Sequence, residues 1–228
     1  MKDSVPSTLS TEAQSMHLIT HLSDLYRKGL FENTVATATC FLKDHPEHIE
    51  ATHILGAAYL ALGQYSDAQP YLEKCIRLVP ADSTYRKSMG DCFYKQKNLI
   101  QAIENYSVAC RVNPEDKQAF FKLATCQSEY GQHLGAASSE AESMLQQAIS
   151  NYLRVIELNK ENSFAWNNVA CIYLYKNKTD EAEIATKNAL KINPAMHEAL
   201  INLSIVFFKR NKITAAIEFT ERALSFQP

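Results

Sequence analysis

Residues 51–80 read ATHILGAAYLALGQYSDAQPYLEKCIRLVP, and residues 165–194 read AWNNVACIYLYKNKTDEAEIATKNALKINP. In the first stretch, apolar residues recur at helical spacing as far as Gly63. A turn follows at Gly63-Gln64-Tyr65-Ser66, then a second helical stretch that stops near Pro80, which cannot continue a helix. Each stretch is therefore read as a helical hairpin.

The hairpin recurs. Pro46, Pro80 and Pro114 are each 34 residues apart, as are Pro194 and Pro228, and the gap of 80 between the groups is two periods plus 12. Small residues keep the beat at Gly56, Gly90, Ala124, Ala170 and Ser204, and again at Ala68, Ala102, Ala148, Ala182 and Ala216. A bulky series runs Leu55, Met89, Leu123, Val169 and Leu203. An aromatic series runs Tyr59, Phe93, Tyr173 and Phe207, broken by Gln127. All four series put 12 extra residues between Ala124 and Ala148. A fixed period in this range is the mark of a repeat array. One hairpin cannot bury its own apolar face, whereas stacked neighbours can.

This 34-residue spacing resembles the tetratricopeptide repeat. Residues 165–194 carry that family's Trp, small residue, Tyr, Ala, Ala and Pro as Trp166, Ala170, Tyr173, Ala182, Ala189 and Pro194. The earlier stretch adds Gly56, Gly63 and Tyr65. The resemblance implies an all-α, right-handed α-solenoid of six helix-turn-helix units, at 15–48, 49–82, 83–116, 117–162, 163–196 and 197–228. Residues 1–14 are expected to be a flexible segment or the start of the first helix. The first unit departs from the pattern, with Leu22 and Thr34 in small-residue slots, and its helix is expected to begin at Thr11 with Gln14 forming a capping box. In the fourth unit the insertion falls near 132–145. Ser139 and Glu142 read as a new cap, and the second helix is expected from about 140 to 158. Two roles stay open for it, an extended helix on the array's edge and a specific partner contact.

Composition narrows the function. The chain has 228 residues, 46% apolar content, a net charge of −2 and a pI near 6.4, which argues against a phosphate-binding surface and hence a nucleic-acid partner. No window approaches the ~20 apolar residues of a membrane span, and the run LINLSIVFF (200–208) lies in phase as a first helix. The N-terminus shows no secretory signature. Six cysteines without a CxxC pair read as small core residues in a reducing, cytoplasmic setting. Cys92 and Cys126 share a slot, and Cys75 fills the slot of Ala109, Ala189 and Ala223. His45, His48 and His53 are close in sequence, but His45 and His48 flank Pro46 and are read as residues of a solvated turn, so no metal site is expected. The carboxylates Asp67, Glu104, Glu181 and Glu218 read as surface charge. With no phosphate loop, nucleophile elbow or HExxH pattern, no catalytic residue and no cofactor is expected.

The resemblance implies that first helices line a concave face that holds a peptide or partner protein. Asn168 and Asn202 occupy one slot, and an Asn there can clamp a peptide backbone with its donor and acceptor. Such a ladder is loosely similar to that of the nucleocytoplasmic O-linked GlcNAc transferase, although units one to four hold Thr20, Ile54, Ser88 and Lys122 at the slot. Phe164, Asn167, Tyr175, Ile201 and Phe208 surround the two rungs, and Lys87, Asp91, Tyr94, Phe121 and Lys122 form the equivalent surface of units three and four. That mix suits a peptide with apolar anchors and a few charges. A clamp for the carboxylate tail of heat-shock proteins is not expected, because Asp91, Lys122 and Phe164 replace its Asn, Asn and Lys.

The leading expectation is a non-enzymatic adaptor. Its alternative is a substrate-binding arm of a larger enzyme, since residues 21–65 look similar to repeat regions that precede glycosyltransferase, sulfotransferase or methyltransferase domains. A helical RNA-binding repeat is disfavoured by the charge balance. Ile213, Ile217, Phe219, Leu224 and Phe226 leave the sixth unit with an apolar face, from which a following repeat or self-association is expected.

Overall fold

The computed structural model describes residues 11–135 and 137–226, with side chains described from residue 15 onward. The expected capping box of Thr11 and Gln14, and the beat at Pro228, lie outside the described side chains and residues. Among the described residues there are twelve α-helices and no strand. They are α1 (Thr11–Arg27), α2 (Phe31–Asp44), α3 (Ile49–Ala61), α4 (Tyr65–Leu78), α5 (Ser83–Lys95), α6 (Leu99–Val112), α7 (Lys117–Leu134), α8 (Ser139–Leu158), α9 (Ser163–Tyr175), α10 (Thr179–Ile192), α11 (His197–Lys209) and α12 (Ile213–Ser225). The chain forms two compact units, one through Asn98 and one from Leu99, so the third repeat contributes α5 to the first and α6 to the second.

Turn chemistry explains the regular hairpins. The turns 28–30, 62–64, 96–98, 176–178 and 210–212 have three residues each, and the middle one is left-handed in all five. Gly29 and Gly63 adopt φ of 74° and 75° without steric cost; Lys97, Asn177 and Asn211 hold 63°, 57° and 58°. Between hairpins, the side-chain oxygens of Asn113, Asn159 and Asn193 accept the backbone N–H two residues on, forming Asx turns. A cation on the second helix then reaches back to the turn before its own hairpin. Lys74 donates to the Pro46 carbonyl and pairs with Glu47, and Arg154 does the same with Pro114 and Glu115. Their sequence separations of 28 and 40 differ by the insertion.

In the first unit the core gathers Ile19, Leu22, Ala38, Phe41, Ala51 and Leu55. Leu22 is fully buried despite occupying a small-residue slot, and buried Thr34 satisfies its hydroxyl on the Leu30 carbonyl at 2.8 Å. Gly56 must be small, since a Cβ there would meet Leu72 Cδ2 at 3.0 Å. His48 is more than a solvated turn residue: its Nδ1 accepts Ala51 N–H and caps α3, and its ring and that of His45 both pack on Phe41. Helix α4 runs through the exposed Pro70, giving up one backbone bond.

In the second unit Ala124, Leu145, Ala148, Ile149, Tyr152, Val155, Ala165, Val169, Ala170 and Ile172 form one buried cluster. Gln127 interrupts the aromatic series because it is buried in a polar relay. Its Oε1 accepts from Asn151 at 2.7 Å and its Nε2 donates to Gln147 at 3.0 Å. Cys75, Cys92 and Cys126 are buried, as expected for core residues, and Asp67, Glu104, Glu181 and Glu218 are exposed.

The insertion lengthens both helices of one hairpin. Against the α9–α10 hairpin, α7 gains five residues, α8 gains six and the turn gains one. The tip thus projects about 8 Å further, at ~1.5 Å per residue. Helix α8 spans the expected stretch, but its cap is Ser138, whose hydroxyl accepts Ala141 N–H, and not Ser139. Glu142 falls one position too late for a capping box and instead pairs with Lys176 in the next turn. Tyr175 reaches the same tip, with its hydroxyl 3.4 Å from the Gln132 carbonyl. The extended hairpin is therefore braced on its neighbour. Gly131 allows its two helices to close, since a Cβ there would lie 2.9 Å from Leu145 Cγ and 3.2 Å from the Ala141 carbonyl.

Candidate functional site

Within the second unit, a groove of about 570 Å³ opens between α7 and α9, lined by Lys117, Gln118, Phe121, Lys122, Asn159, Asn162 and Phe164. Local sequence sets its shape. Asp116 accepts the N–H groups of Gln118 and Ala119 and starts α7; Asn162 accepts Ala165 N–H at 2.9 Å and starts α9. Asn159 spends its side-chain oxygen on the loop N–H of Glu161 and Asn162 on the first-turn N–H of Ala165 in α9, which leaves their amide NH₂ groups as donors. Lys117 and Lys122 add positive charge, and no lining residue is acidic. The positive ends of the α7 and α9 dipoles lie at the same rim. Phe164 is 58% exposed, so the groove offers an uncovered aromatic face beside a cluster of donors.

A hydrogen-bonded relay fixes the wall beneath. Thr125 donates to the Phe121 carbonyl at 2.9 Å, so its one proton is committed. Tyr152 must then donate to Thr125 Oγ1 at 2.9 Å, and it accepts from Asn168 Nδ2 at 3.0 Å. The Phe121 ring meets the Tyr152 ring edge-on, centroids 5.4 Å apart. Burial pushes the Tyr152 phenol up to about 12. It also raises the thiols of Cys171, Cys92 and Cys75, the last to about 11. Among the described residues no group of three or more His, Cys, Asp or Glu side chains is placed to hold a metal.

Of the twelve residues proposed from sequence, the nine in the second unit do not share one surface. Phe121, Lys122 and Phe164 meet in the groove. Asn168 and Asn202 are not equivalent rungs. Asn168 is half-buried and donates to Tyr152, whereas Asn202 is buried and donates to Asn167 Oδ1 at 2.8 Å and to Cys171 Sγ. Asn167 is itself buried, so this pair lies beneath the surface. Tyr175 packs on the insertion's tip, Ile201 is half-buried, and Phe208 lines a different groove between α11 and α12. Lys87, Asp91 and Tyr94 are half-buried on α5 in the first unit, with Lys97 5.8 Å from the Tyr94 ring. Lys117, Gln118, Asn159 and Asn162 were not expected from first-helix slots, because they sit in the preceding loop and opening turn. The recurrence of Asn113 and Asn159, one 46-residue step apart, was the available signal.

Tetratricopeptide-repeat family models match residues 53–116 and 151–184. The chain is 28% identical over 201 residues to the BBSome complex member BBS4 of Bos taurus, covering 78% of this chain and 38% of that protein. It is 24% identical over 197 residues to the human protein O-mannosyl-transferase TMTC3, covering 79% of this chain and 20% of that protein. The chain thus spans well under half the length of these relatives. Its fold is similar to that of YrrB, described as a repeat protein with an unusual peptide-binding site, with a TM-score of 0.66 at 22% identity over 80% of this chain and 88% of that one.

Proposed function

We propose that this chain, an array of tetratricopeptide repeats, is a non-enzymatic protein-interaction scaffold whose α7–α9 groove holds an extended, acidic segment of a partner protein. The observation that carries this reading is the groove's composition: two lysines, three side-chain amides and two phenylalanines, without a carboxylate. Those donors suit a segment with side-chain carboxylates and main-chain carbonyls, and Phe164 suits one apolar anchor. The likeness to YrrB supports the reading in that this fold can present a peptide site. The two asparagines are not kept as equivalent rungs of a backbone clamp, because buried Asn202 donates to Asn167 and Cys171, whereas half-buried Asn168 commits one N–H to Tyr152 and retains a second donor and its carbonyl oxygen. Lys87, Asp91 and Tyr94 are kept as proposed contact residues of the first unit. No described helix is long and apolar enough to cross a membrane, and we place the chain in the cytoplasm on its cysteine usage, six residues without a CxxC pair.

The test is selection of 12-residue peptides from a display library on immobilised protein. Enriched peptides should carry Asp or Glu beside one aromatic or aliphatic residue. The Lys117→Glu/Lys122→Glu variant should bind them at least tenfold more weakly, and Phe164→Ala about tenfold more weakly, near the ~1–2 kcal/mol of a contributing interface aromatic. Peptides without acidic enrichment, or equal binding to both variants, refute the groove.

A second reading is a substrate-binding arm of a glycosyltransferase, sulfotransferase or methyltransferase. The likeness to TMTC3 favours it for the first of these classes, since that relative is named as a transferase of which the matched region covers 20%. A glycosyltransferase-like sequence continuous with this one would support the arm over the adaptor.

A further inference from the structure

The histidines of the first unit divide into rings that are engaged and rings that are not. His45 and His48 pack on Phe41, and His48 Nδ1 also accepts Ala51 N–H. His53 Nε2 lies 2.8 Å from Ser88 Oγ, and its ring packs on Tyr85. His17 and His21 on α1 are exposed, and among the described residues neither ring makes a hydrogen bond or a ring contact.

Helix α1 fixes how this second pair stands. Ile19 and Leu22 are buried in the core of the first unit, and Leu18 packs against the same cluster. At about 3.6 residues per turn, those anchors hold one side of the helix inward and turn the other side out. His17, Thr20 and His21 are the exposed residues of that outer side. Residues i and i+4 of a helix are neighbours, with Cβ atoms about 5–6 Å apart. Two imidazoles at this spacing can each bring a nitrogen to the ~2.0–2.1 Å of a metal–nitrogen bond on one ion.

The donors define the class of ion. Among the described residues no third His, Cys, Asp or Glu completes a set with the pair. Asp24, three residues beyond His21, is paired with Arg27. Two imidazoles suit Ni²⁺, Cu²⁺ and Zn²⁺, whereas Mg²⁺ and Ca²⁺ require oxygen ligands. The same spacing serves zinc-protease helices, where a Glu directly after the first His acts as general base. Here Leu18 holds that position and packs on the core, so the pair is equipped to bind an ion and not to hydrolyse with it.

We propose that His17 and His21 form a two-ligand chelate on α1 for a divalent transition-metal ion of the nickel, copper and zinc class, with water filling the remaining coordination positions. The site belongs to the first unit and does not rest on the α7–α9 groove of the second.

The test is calorimetric titration of Ni²⁺ into the untagged whole chain carrying Cys40→Ser, which removes the exposed thiol as a competing ligand. Saturable binding is expected, with Co²⁺ bound more weakly, as divalent ions order on nitrogen ligands. His17→Ala and His21→Ala should each weaken Ni²⁺ binding at least tenfold. So should His17→Ala/Thr20→His, which keeps two histidines on α1 but makes them adjacent in sequence, where they do not face each other. His133→Ala, at an exposed histidine of α7, should leave the isotherm unchanged. In proton spectra, paramagnetic Ni²⁺ should broaden the His17 and His21 imidazole signals before those of the remaining histidines. The substituted positions are exposed, and circular dichroism checks that each variant keeps its helix content. No saturable Ni²⁺ binding by the folded chain, full binding by the His17→Ala/Thr20→His variant, or an equal response to Mg²⁺ overturns the inference.

Discussion

Replacing Tyr152 by Phe tests the wall beneath the α7–α9 groove. The phenol is buried, donates to Thr125 and accepts from Asn168. Removing it strands one donor and one acceptor, but Thr125 and Asn168 are only half-buried and can partly recover through water. The cost near pH 7 should be about 1–2 kcal/mol. The alkaline limb is more diagnostic. Burial raises the phenol from its ordinary 10 to about 12, so the folded state keeps its proton where the unfolded chain has lost it. The unfolded state then binds fewer protons, and stability falls as pH rises from about 10 to about 12. Each full unit is worth about 1.4 kcal/mol, and with the unfolded phenol half-ionised at about pH 10 wild type should lose about 1 kcal/mol between pH 10 and pH 11 through Tyr152 alone. The Phe variant lacks this loss, while other titrating groups are common to both proteins and cancel in the difference. The stability gap should therefore narrow as pH rises and be nearly closed by pH 11. Trp166, the only tryptophan, packs on the same core cluster as Tyr152 and reports on the second unit by fluorescence during urea unfolding. A gap that stays constant from pH 7 to pH 11 would refute the assigned relay and its buried phenol.

Two further outcomes are expected. Gly131→Ala should destabilise the second unit by about 1–2 kcal/mol even though Ala is the better helix former, because the Ala141 carbonyl cannot yield to a methyl 3.2 Å away; an unchanged or higher urea midpoint by Trp166 fluorescence would show that the hairpin tip is loose. Iodoacetamide at pH 8 should label Cys40, the exposed thiol, well before buried Cys75, whose pKa of about 11 leaves little thiolate; peptide mass spectrometry that finds both labelled at one rate would contradict the packing.

The repeat was legible because it is written in residues whose physics is local. Prolines stop helices, glycines open left-handed turns, and small residues mark helix contacts, so boundaries such as α8 at 139–158 fell close to expectation. Lys97 shows the limit even there. It holds the left-handed turn position at φ 63° although nothing in its side chain favours it, because the flanking helices dictate the turn. Gln127 is similar: it looks like a flaw in the aromatic series until Asn151 and Gln147, more than 19 residues on, supply its partners.

The site was harder to read for a specific physical reason. A slot in a repeat tells which way a side chain leaves its helix, but not which group meets it there. Asn168 and Asn202 share a slot, and their fates differ because α8 offers a tyrosine at Tyr152 where α10 offers Thr186. Thr186 turns its hydroxyl onto the Ala182 carbonyl, so Asn202 finds its acceptor in Asn167 instead. An amide with one N–H committed to a buried phenol has its orientation fixed, and its second N–H and oxygen are what remain for a partner. The same consideration moves the functional weight to Asn159 and Asn162. Their oxygens are held by backbone N–H groups of the loop and of the first turn of α9, so their orientation is set while their NH₂ groups stay available beside Lys117 and Lys122. Preorganised donors of this kind lose little entropy when a carboxylate arrives. The proposed partner-binding groove thus combines the faces of α7 and α9 with amide donors from the loop that joins α8 to α9.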